Sequence, residues 1–264
     1  MTLKIGVMDS GVGGFTILKA IKESLPHAEI LYFADQAYAP YGNLDASQIA
    51  KRLFVIGDYF LSQGCDVMVV ACNTATVVSI HTLRARIKLP VVGVEPAVKP
   101  ACTSSAKKSV SVLATPVTAR SERLNELINT WRFDANVEIL FSETLADMID
   151  HMPGTATKVE QEIRQLCDRI MAHNSDSLVL ACTHYPLVKS SFENCLGADV
   201  VIIEPSLGVA SQVVRMAADK AKQSIVSRMG ALHVYSNGRE EQLRSMNYWL
   251  LREGFEVAVE RTCL

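Results

Sequence analysis

The sequence predicts an α/β protein made of two similar units, each built on its own parallel sheet. Three observations support this fold class. Short apolar segments alternate along the 264 residues with longer segments of helical periodicity. Most of the apolar segments are nearly continuous runs, which is typical of parallel strands covered by helices on both faces. Two motifs of the first half of the chain also recur in the second half.

Ten apolar segments predict strands. The first eight are nearly continuous apolar runs, and their alternation with helical segments indicates a parallel-sheet α/β protein. The predicted strands span residues 3–8, 28–34, 66–71, 90–94, 109–114, 137–141, 177–181, 199–203, 231–236 and 255–260.

Amphipathic segments between these runs predict helices. The clearest covers residues 45–63, where Asp45 and Gln48 form the pattern of a capping box at the start. Its apolar face is formed by Ile49, Leu53, Ile56 and Phe60. The other predicted helices span residues 15–25, 118–130, 155–173, 207–222 and 239–252.

The internal repeat consists of two pairs of segments. VVACNTA recurs as VLACTHY, which aligns Cys72 with Cys182 at an offset of 110 residues. VVGVEPAV recurs as VVIIEPSL, which aligns Glu95 with Glu204 at an offset of 109. Two similar offsets predict one α/β unit present twice, with chance similarity as the alternative. Because functional groups collect at the carboxyl ends of parallel strands, a two-fold arrangement of the units would direct the two cysteines at each other across a cleft.

The first predicted strand ends in the glycine-rich loop DSGVGG, followed by a helix. Its glycines allow close backbone approach, and N–H groups at the helix start can hold an anion. A dinucleotide site, with Asp35 closing the second strand, would need glycine at the position of Thr16, and Asp9 would put negative charge beside the pyrophosphate. The loop better suits a small ligand with both an ammonium and a carboxylate, which Asp9 and Ser10 would face. A tight structural turn is the alternative.

Cys72 and Cys182 are the strongest candidates for chemistry. A thiol at a strand end just before a helix lies at the positive end of the helix dipole, which lowers its pKa and favours the thiolate. Donors for a carboxylate follow the thiols at Asn73, Thr74 and Thr183. His184 is placed to exchange protons with Cys182 or to stabilise its charge. A buried-core role is the alternative for each cysteine alone, but their recurrence in repeated motifs favours chemistry.

The loop after the second predicted strand contains two tyrosines, a proline and a glycine. In a functional interpretation, the backbone of Tyr41 and the amide of Gly42 contribute to the same rim as the glycine-rich loop. The alternative is an ordered connection with aromatic packing.

Charge and hydropathy exclude several kinds of partner. The 26 Lys and Arg residues against 28 Asp and Glu give a net charge of −2, which speaks against nucleic acid or an anionic membrane. No apolar run approaches the ~20 residues that span a bilayer. The N-terminus leads almost directly into a predicted strand, without a separate apolar targeting segment. We therefore expect a cytoplasmic protein.

Metal and cofactor motifs are missing from the sequence. It contains no phosphate loop, no G-x-S-x-G elbow and no lysine in the candidate motifs that would anchor pyridoxal phosphate. The seven cysteines include no C-x-x-C pair, and their odd number argues against a complete disulfide framework. We expect neither a metal nor a cofactor.

Taken together, DSGVGG, PYG, ACNTAT, GVEPAV and ACTHYP resemble the motifs of the glutamate racemase family, cofactor-independent enzymes of the aspartate/glutamate racemase superfamily. They occur in family order and spacing over essentially the whole chain. The resemblance implies two pseudo-symmetric parallel-sheet α/β domains with the active site in the cleft between them. The first domain would comprise residues 1–96 and 206–264, and the second residues 97–205.

The resemblance also implies the reaction and its residues. Cys72 and Cys182 would be the two acid/base residues that interconvert L- and D-glutamate, which supplies D-glutamate for peptidoglycan. Substrate contacts would come from Asp9, Ser10, Tyr41, Gly42, Asn73, Thr74, Thr183 and His184. A racemase of aspartate or another amino acid and a non-catalytic amino-acid-binding protein are the alternatives, although pure binding needs neither cysteine. The sequence leaves a homodimer open.

Two segments depart from the family pattern. A Gly-Thr-x-Ala-Thr segment is replaced by residues 114–118, which keep both threonines as Thr115 and Thr118. An acidic site near the middle of the chain is replaced by residues 145–150, where Asp150 is the candidate substitute for a longer glutamate. We therefore do not include Asp150 among the predicted site residues.

Overall fold

The computed structural model describes residues 2–223 and 229–264. These residues form two compact units, one from the segments up to Val94 and from Ser206 onward, and the other from Glu95–Pro205. Each unit contains a parallel sheet with helices between its strands, which confirms the predicted α/β class. Among the helices that the structure describes, none has both the length and the apolar character needed to cross a membrane.

The strands lie close to their predicted positions, with one exception discussed below. They are β1 (Lys4–Asp9), β2 (Glu29–Ala34), β3 (Val67–Val70), β4 (Val91–Gly93), β5 (Ser109–Ala114), β6 (Asn136–Phe141), β7 (Ser177–Ala181), β8 (Val201–Ile203), β9 (Leu232–Ser236) and β10 (Val259–Arg261).

Helices connect most of these strands. They are α1 (Phe15–Ser24), α2 (Ala46–Ser62), α3 (Asn73–Arg86), α4 (Val98–Ser104), α5 (Pro116–Ala119), α6 (Glu122–Trp131), α7 (Leu145–Asp150), α8 (Ala156–Ala172), α9 (Lys189–Leu196), α10 (Ser206–Gln223) and α11 (Glu240–Arg252). Short 3-10 helices span Gln36–Tyr38, Tyr41–Asn43 and Tyr185–Val188.

The first unit contains a six-stranded sheet in the order β10-β9-β2-β1-β3-β4, with every neighbouring pair parallel. Hydrogen bonds continue just past the carboxyl ends of the central strands. The Asp35 N–H donates to the Asp9 carbonyl at 2.9 Å, and the Ala71 N–H donates to the Met8 carbonyl at 2.8 Å. The loops that follow β1, β2 and β3 therefore begin side by side at one edge of the sheet.

The apolar face predicted for α2 packs into the core of the first unit. It consists of the fully buried residues Ile49, Leu53, Ile56 and Phe60. The capping box is also confirmed, because the Gln48 N–H donates to Asp45 Oδ1 at 2.8 Å and the Asp45 N–H donates to Gln48 Oε1 at 2.9 Å. A Cβ atom at Gly6 would lie 2.5 Å from the Phe60 ring, so β1 requires glycine where α2 crosses it.

The second unit contains a four-stranded parallel sheet in the order β6-β5-β7-β8. Its core is formed by α4, α6 and the two central strands, β5 and β7. The loops after these two strands are joined by the buried Tyr185 hydroxyl, which donates to the Ala114 carbonyl at 3.2 Å. Here too, polar residues that follow the central strands share one edge of the sheet.

The predicted bounds of the last strand are wrong. Only Val259–Arg261 pairs with β9, instead of residues 255–260. The turn after α11 contains Gly254, whose φ of 84° lies in the left-handed region that favours glycine. The N–H of Phe255 then donates to the Leu250 carbonyl at 2.8 Å, so the helix end still holds this residue.

The helix predicted over residues 118–130 is in fact two helices, α5 and α6. Ser121 separates them, because its hydroxyl accepts a hydrogen bond from the Leu124 N–H at 3.2 Å and caps a new helix. Thr115 caps α5 in the same way by accepting from the Thr118 N–H at 3.4 Å. The two threonines of this segment therefore shape the loop that follows β5.

Candidate active site

In the first unit, the predicted site residues Asp9, Ser10 and Cys72 lie at the carboxyl ends of two neighbouring strands, β1 and β3. Asp9 is the last residue of β1, and Cys72 lies two residues beyond β3. All three side chains are buried, and the Ser10 hydroxyl lies 3.8 Å from the Cys72 sulfur. The structure thus brings the glycine-rich loop and the first thiol together, as the sequence predicts.

Cys72 is the N-cap residue of α3 and has an extended backbone. The first N–H groups of an α-helix lack partners within the helix and carry partial positive charge. The predicted position of Cys72 just before a helix is therefore confirmed. That the helix dipole lowers the pKa of its thiol stays a prediction.

Asn73 and Thr74 form the first turn of α3 and are buried beside the thiol. The Asn73 side chain is only 2 % exposed, yet within the described part of the chain neither Oδ1 nor Nδ2 has a hydrogen-bond partner. Leaving a buried polar group unpaired costs ~1–3 kcal/mol. An unpaired, buried side-chain amide next to a thiol indicates a site where a polar ligand binds.

Tyr32 on β2 contacts the glycine-rich loop. The Tyr32 hydroxyl donates to the Gly11 carbonyl at 2.8 Å, and the Gly11 N–H donates to Asp9 Oδ1 at 2.8 Å. A Cβ atom at Gly14 would lie 2.8 Å from the Tyr32 oxygen. These contacts restrain the loop, and Asp9 beside it is fully buried.

Tyr41 begins a 3-10 turn that packs against α3. Its hydroxyl donates to Asp35 Oδ2 at 2.6 Å. Burial, the Asp35 carboxylate and a negative charge on Cys72 together raise the pKa of Tyr41 well above its ordinary value. The phenol therefore stays protonated and bound to Asp35, while Gly42 is exposed. The predicted contribution of the Tyr41 backbone and the Gly42 amide remains compatible with this geometry.

In the second unit, Cys182 and Thr183 directly follow β7 and are buried. The sequence-based argument placed Cys182 just before a helix, but that prediction is wrong. The next element is the 3-10 turn Tyr185–Val188, which begins three residues later, and α9 starts only at Lys189. Cys182 therefore lacks the α-helix N-terminus that Cys72 has.

A histidine and a carboxylate lie beside Cys182 instead. His184 Nδ1 lies 3.9 Å from the Cys182 sulfur, and His184 Nε2 lies 3.1 Å from Asp150 Oδ2. Burial alone would lower the pKa of His184, but the Asp150 carboxylate and Cys182 outweigh it and raise the pKa well above its ordinary value. An imidazolium thus provides the positive charge beside the second thiol.

Asp150 belongs to this constellation although it was not among the predicted site residues. It lies at the end of α7, 34 residues before His184. The sequence feature that could have identified Asp150 is its position in the segment that departs from the family pattern. The shorter carboxylate reaches the imidazole directly.

Replacing Asp150 should change the pH dependence of the site. Because the carboxylate raises the pKa of His184, Asp150→Asn should lower it, and the alkaline limb of the pH–rate profile should move to lower pH. Because the pKa of His184 is raised in the folded state, its protonated imidazole stabilises that state below about pH 6.5. This contribution is lost as the pH rises through the pKa of His184 in the folded protein. The stability of the variant should therefore depend less on pH across this interval.

The matched control is Asp147→Asn on the same helix. Asp147 lies 3.7 Å from His151, and both side chains are more exposed than the His184–Asp150 pair. Its replacement should leave the alkaline limb in place. A profile that moves equally in both variants, or in neither, contradicts the assigned role of Asp150.

Comparison with known proteins defines the class. A family model for Asp/Glu/Hydantoin racemases matches residues 5–214. The matched region includes both thiols and all the other predicted site residues, and it exceeds half of the chain. The protein is a racemase, and the chain belongs to the Asp/Glu/Hydantoin racemase family.

Within this family the similarity is to glutamate racemases. The chain is 36% identical to the glutamate racemase of Ralstonia pickettii over 220 residues, which are 83% of this chain and 78% of the relative. The crystal structure of a glutamate racemase isoform from Bacillus anthracis matches with a TM-score of 0.85 at 26% identity, covering 99% of this chain and 98% of that one. The Francisella tularensis glutamate racemase in complex with D-glutamate matches with a TM-score of 0.82 at 26% identity and the same coverage.

Among residues 2–223 and 229–264, no three His, Cys, Asp or Glu side chains form a group that could hold a metal ion. The expectation that the protein needs neither a metal nor a cofactor stays a prediction, which is tested below.

Proposed function

We propose that the protein interconverts L- and D-glutamate by a two-base mechanism in which Cys72 and Cys182 exchange protons with the α-carbon. The observation that carries this proposal is the matched pair of buried thiols, each just past the carboxyl end of a central strand. Each thiol has a polar neighbour, Ser10 at 3.8 Å and His184 at 3.9 Å. The similarity to glutamate racemases, one of them in complex with D-glutamate, supports the choice of substrate.

Inversion requires removal of the α-proton from one face and delivery of another proton to the opposite face. In one direction the Cys72 thiolate accepts the α-proton, and the Cys182 thiol donates a proton to the resulting carbanion. The products are the opposite enantiomer, a Cys72 thiol and a Cys182 thiolate. The roles are exchanged in the reverse direction, so no cofactor is consumed.

Each thiolate needs its own stabilisation, because a free thiol is only a few per cent ionised near neutral pH. For Cys72 this comes from the start of α3, and for Cys182 from the His184 imidazolium. The two half-reactions therefore use different sources of positive charge. This is the basis for different kcat and KM values in the two directions, whereas the ratio kcat/KM is equal because the enantiomers are equally stable.

Fixed donors must also stabilise charge on the substrate. We assign the substrate carboxylates to Ser10, Asn73, Thr74, Thr183 and the Gly42 amide, and the ammonium group to Asp9. These groups are preorganised, and most are buried, so donors that strengthen their hydrogen bonds to the developing carbanion lower the barrier. Positioned acid/base groups contribute only ~10²–10⁴-fold each, which is why such stabilisation is needed.

The proposal is tested by incubating the purified protein with L-glutamate alone and following optical rotation. We expect the rotation to decay to zero as equal amounts of both enantiomers form, and the same from D-glutamate. Comparable or faster turnover of aspartate would contradict the substrate assignment. Glutamate binding without loss of rotation would favour the non-catalytic amino-acid-binding alternative.

The reaction should need no cofactor. We expect full activity without pyridoxal phosphate, nucleotide or added metal, and in the presence of a chelator. Oxidation of the protein should abolish activity, because it removes an acid/base thiol, and a reductant should restore activity after reversible oxidation. Activity that a chelator abolishes and a metal restores would contradict the proposal.

We also propose that the enzyme acts in the cytoplasm, where it supplies D-glutamate for peptidoglycan, and that it can form a homodimer. A reducing compartment keeps both thiols in their active form. Loss of the protein should make growth of its host depend on external D-glutamate. Light scattering of the purified protein measures its oligomeric state.

A further inference from the structure

The turn that carries Tyr41 and Gly42 is anchored by Asp35, a fully buried carboxylate that directly follows β2. Arg52 on α2 binds this carboxylate with two parallel hydrogen bonds. Its Nε donates to Oδ2 at 2.9 Å and its Nη2 donates to Oδ1 at 2.8 Å. Such a fork fixes the orientation of the carboxylate as well as its position.

Two further donors complete the coordination of Asp35. The Tyr41 hydroxyl donates to Oδ2 at 2.6 Å, and Asn237 Nδ2 donates to Oδ1 at 2.6 Å. The Asn237 side chain also accepts the Ala37 N–H at 2.9 Å. Each carboxylate oxygen therefore receives two hydrogen bonds, and the turn is fixed from both α2 and the loop after β9.

Stability alone does not explain this arrangement. Burying an ion pair carries a large desolvation cost, and apolar residues of similar volume often stabilise a core as well or better. Arg52 itself is nearly buried, with its guanidinium 4.0 Å from the centre of the Tyr38 ring. The network orients the Tyr41 phenol, whose hydrogen bond within the described part of the chain is to this carboxylate.

The anchored turn adjoins the first half of the candidate site. Tyr41 and Cys72 belong to the same buried cluster, and the turn packs against α3, whose first residue is Asn73. A change in the position of the Tyr41 ring therefore moves the backbone of Tyr41 and Gly42 relative to Asn73.

We propose that Asp35 is a positioning residue for substrate binding, which acts through the Tyr41 phenol to fix the Tyr41–Gly42 backbone. Arg52 and Asn237 orient Asp35 for this role. This inference rests on the proposed function, because it takes the Gly42 amide as a donor to the substrate. It assigns Asp35 no part in proton transfer, so its loss weakens binding more than it slows chemistry.

The experiment compares KM and kcat for glutamate in Asp35→Asn and in Asp66→Asn. Asp66 is a suitable control because it is also a hydrogen-bonded carboxylate of the first unit. It accepts the Lys4 N–H at 3.0 Å and pairs with Lys220 at 3.1 Å, at the opposite end of the strands. We expect Asp35→Asn to raise KM about tenfold, with kcat per folded enzyme changed less than about threefold. Asp66→Asn should leave KM unchanged.

Two conservative variants keep the test decisive if Asp35→Asn folds poorly. Tyr41→Phe keeps the ring but removes its hydrogen bond, and Arg52→Lys keeps the charge but removes the fork. Both should raise KM, and Arg52→Lys should do so less than Asp35→Asn or Tyr41→Phe. Unchanged KM in Tyr41→Phe, with an active wild type, overturns the positioning role alone. A wild type that does not racemise glutamate overturns the proposed function and this inference with it.

Discussion

Replacing either Cys72 or Cys182 by alanine should reduce racemisation in both directions by at least ~10³-fold, because every inversion needs one residue to accept a proton and the other to donate one. The expected loss in kcat/KM is equal in the two directions, since the two enantiomers are equally stable. Chiral chromatography of the products from L- and D-glutamate measures both directions.

Deuterated water distinguishes this mechanism from one with a single base. In the wild type, product formed from either enantiomer should carry solvent deuterium at the α-position, because the donating thiol has exchanged with solvent. Each alanine variant retains one thiol and should exchange the α-proton of only one enantiomer, without inverting it. Product that retains the α-proton of the substrate through a single turnover would contradict the two-base assignment, as would a variant with near wild-type rate.

The other buried cysteines provide matched controls. Burial raises the pKa of Cys65 to about 12 and raises the pKa of Cys102, so both remain neutral thiols near pH 7. Cys65→Ala and Cys102→Ala should change stability by at most a few kcal/mol and leave racemisation intact. Their side chains share the chemistry of Cys72 but not its position at the start of α3.

Replacing Asn73 by alanine should weaken substrate binding and stabilise the protein at the same time. The carboxamide is buried beside Cys72, and both its polar atoms lack partners in the described structure. Loss of a hydrogen bond to a substrate carboxylate should raise KM about ten- to hundredfold. Removal of the unpaired amide should raise the free energy of unfolding by ~1 kcal/mol, measured in the absence of substrate. The diagnostic result is weaker substrate binding together with a higher free energy of unfolding in the same variant.

Asn136→Ala is the control for this pair of measurements. Its Nδ2 already lies 3.0 Å from His173 Nε2, and the residue is exposed at the start of β6. Its replacement should leave KM unchanged and should not stabilise the protein. An Asn73→Ala variant that is less stable than the wild type, or that binds glutamate normally, would contradict the assignment of Asn73 to the substrate.

The sequence was sufficient to locate the strands because the buried runs that predict them are set by local composition. SVSVLA and SLVLA coincide fully with β5 and β7. Helix ends were harder to locate, since they depend on single side-chain contacts such as the Ser121 cap that separates α5 from α6. The same limitation explains Cys182, whose following residues form a 3-10 turn instead of the expected helix.

Residues at strand ends were identified as candidates because parallel sheets gather them at one edge. Their supporting partners were not identified in the same way. Asp150 and His184 are 34 residues apart, and Asp35 and Asn237 are 202 residues apart. No local pattern links residues at such separations, and only the fold brings them within hydrogen-bonding distance.

The division of the first unit into two segments has a consequence for synthesis on the ribosome. The second unit is one continuous segment, Glu95–Pro205, whereas β2 acquires its neighbour β9 only after Ser236 has been made. The ribosome adds ~5–20 residues per second, so roughly 10–40 s pass between the synthesis of β2 and that of β9. During this time one edge of the apolar strand β2 has no native neighbour. Unpaired strand edges recruit other chains. We therefore expect the nascent protein to be most prone to aggregation in this interval, when the inserted unit can already be folded.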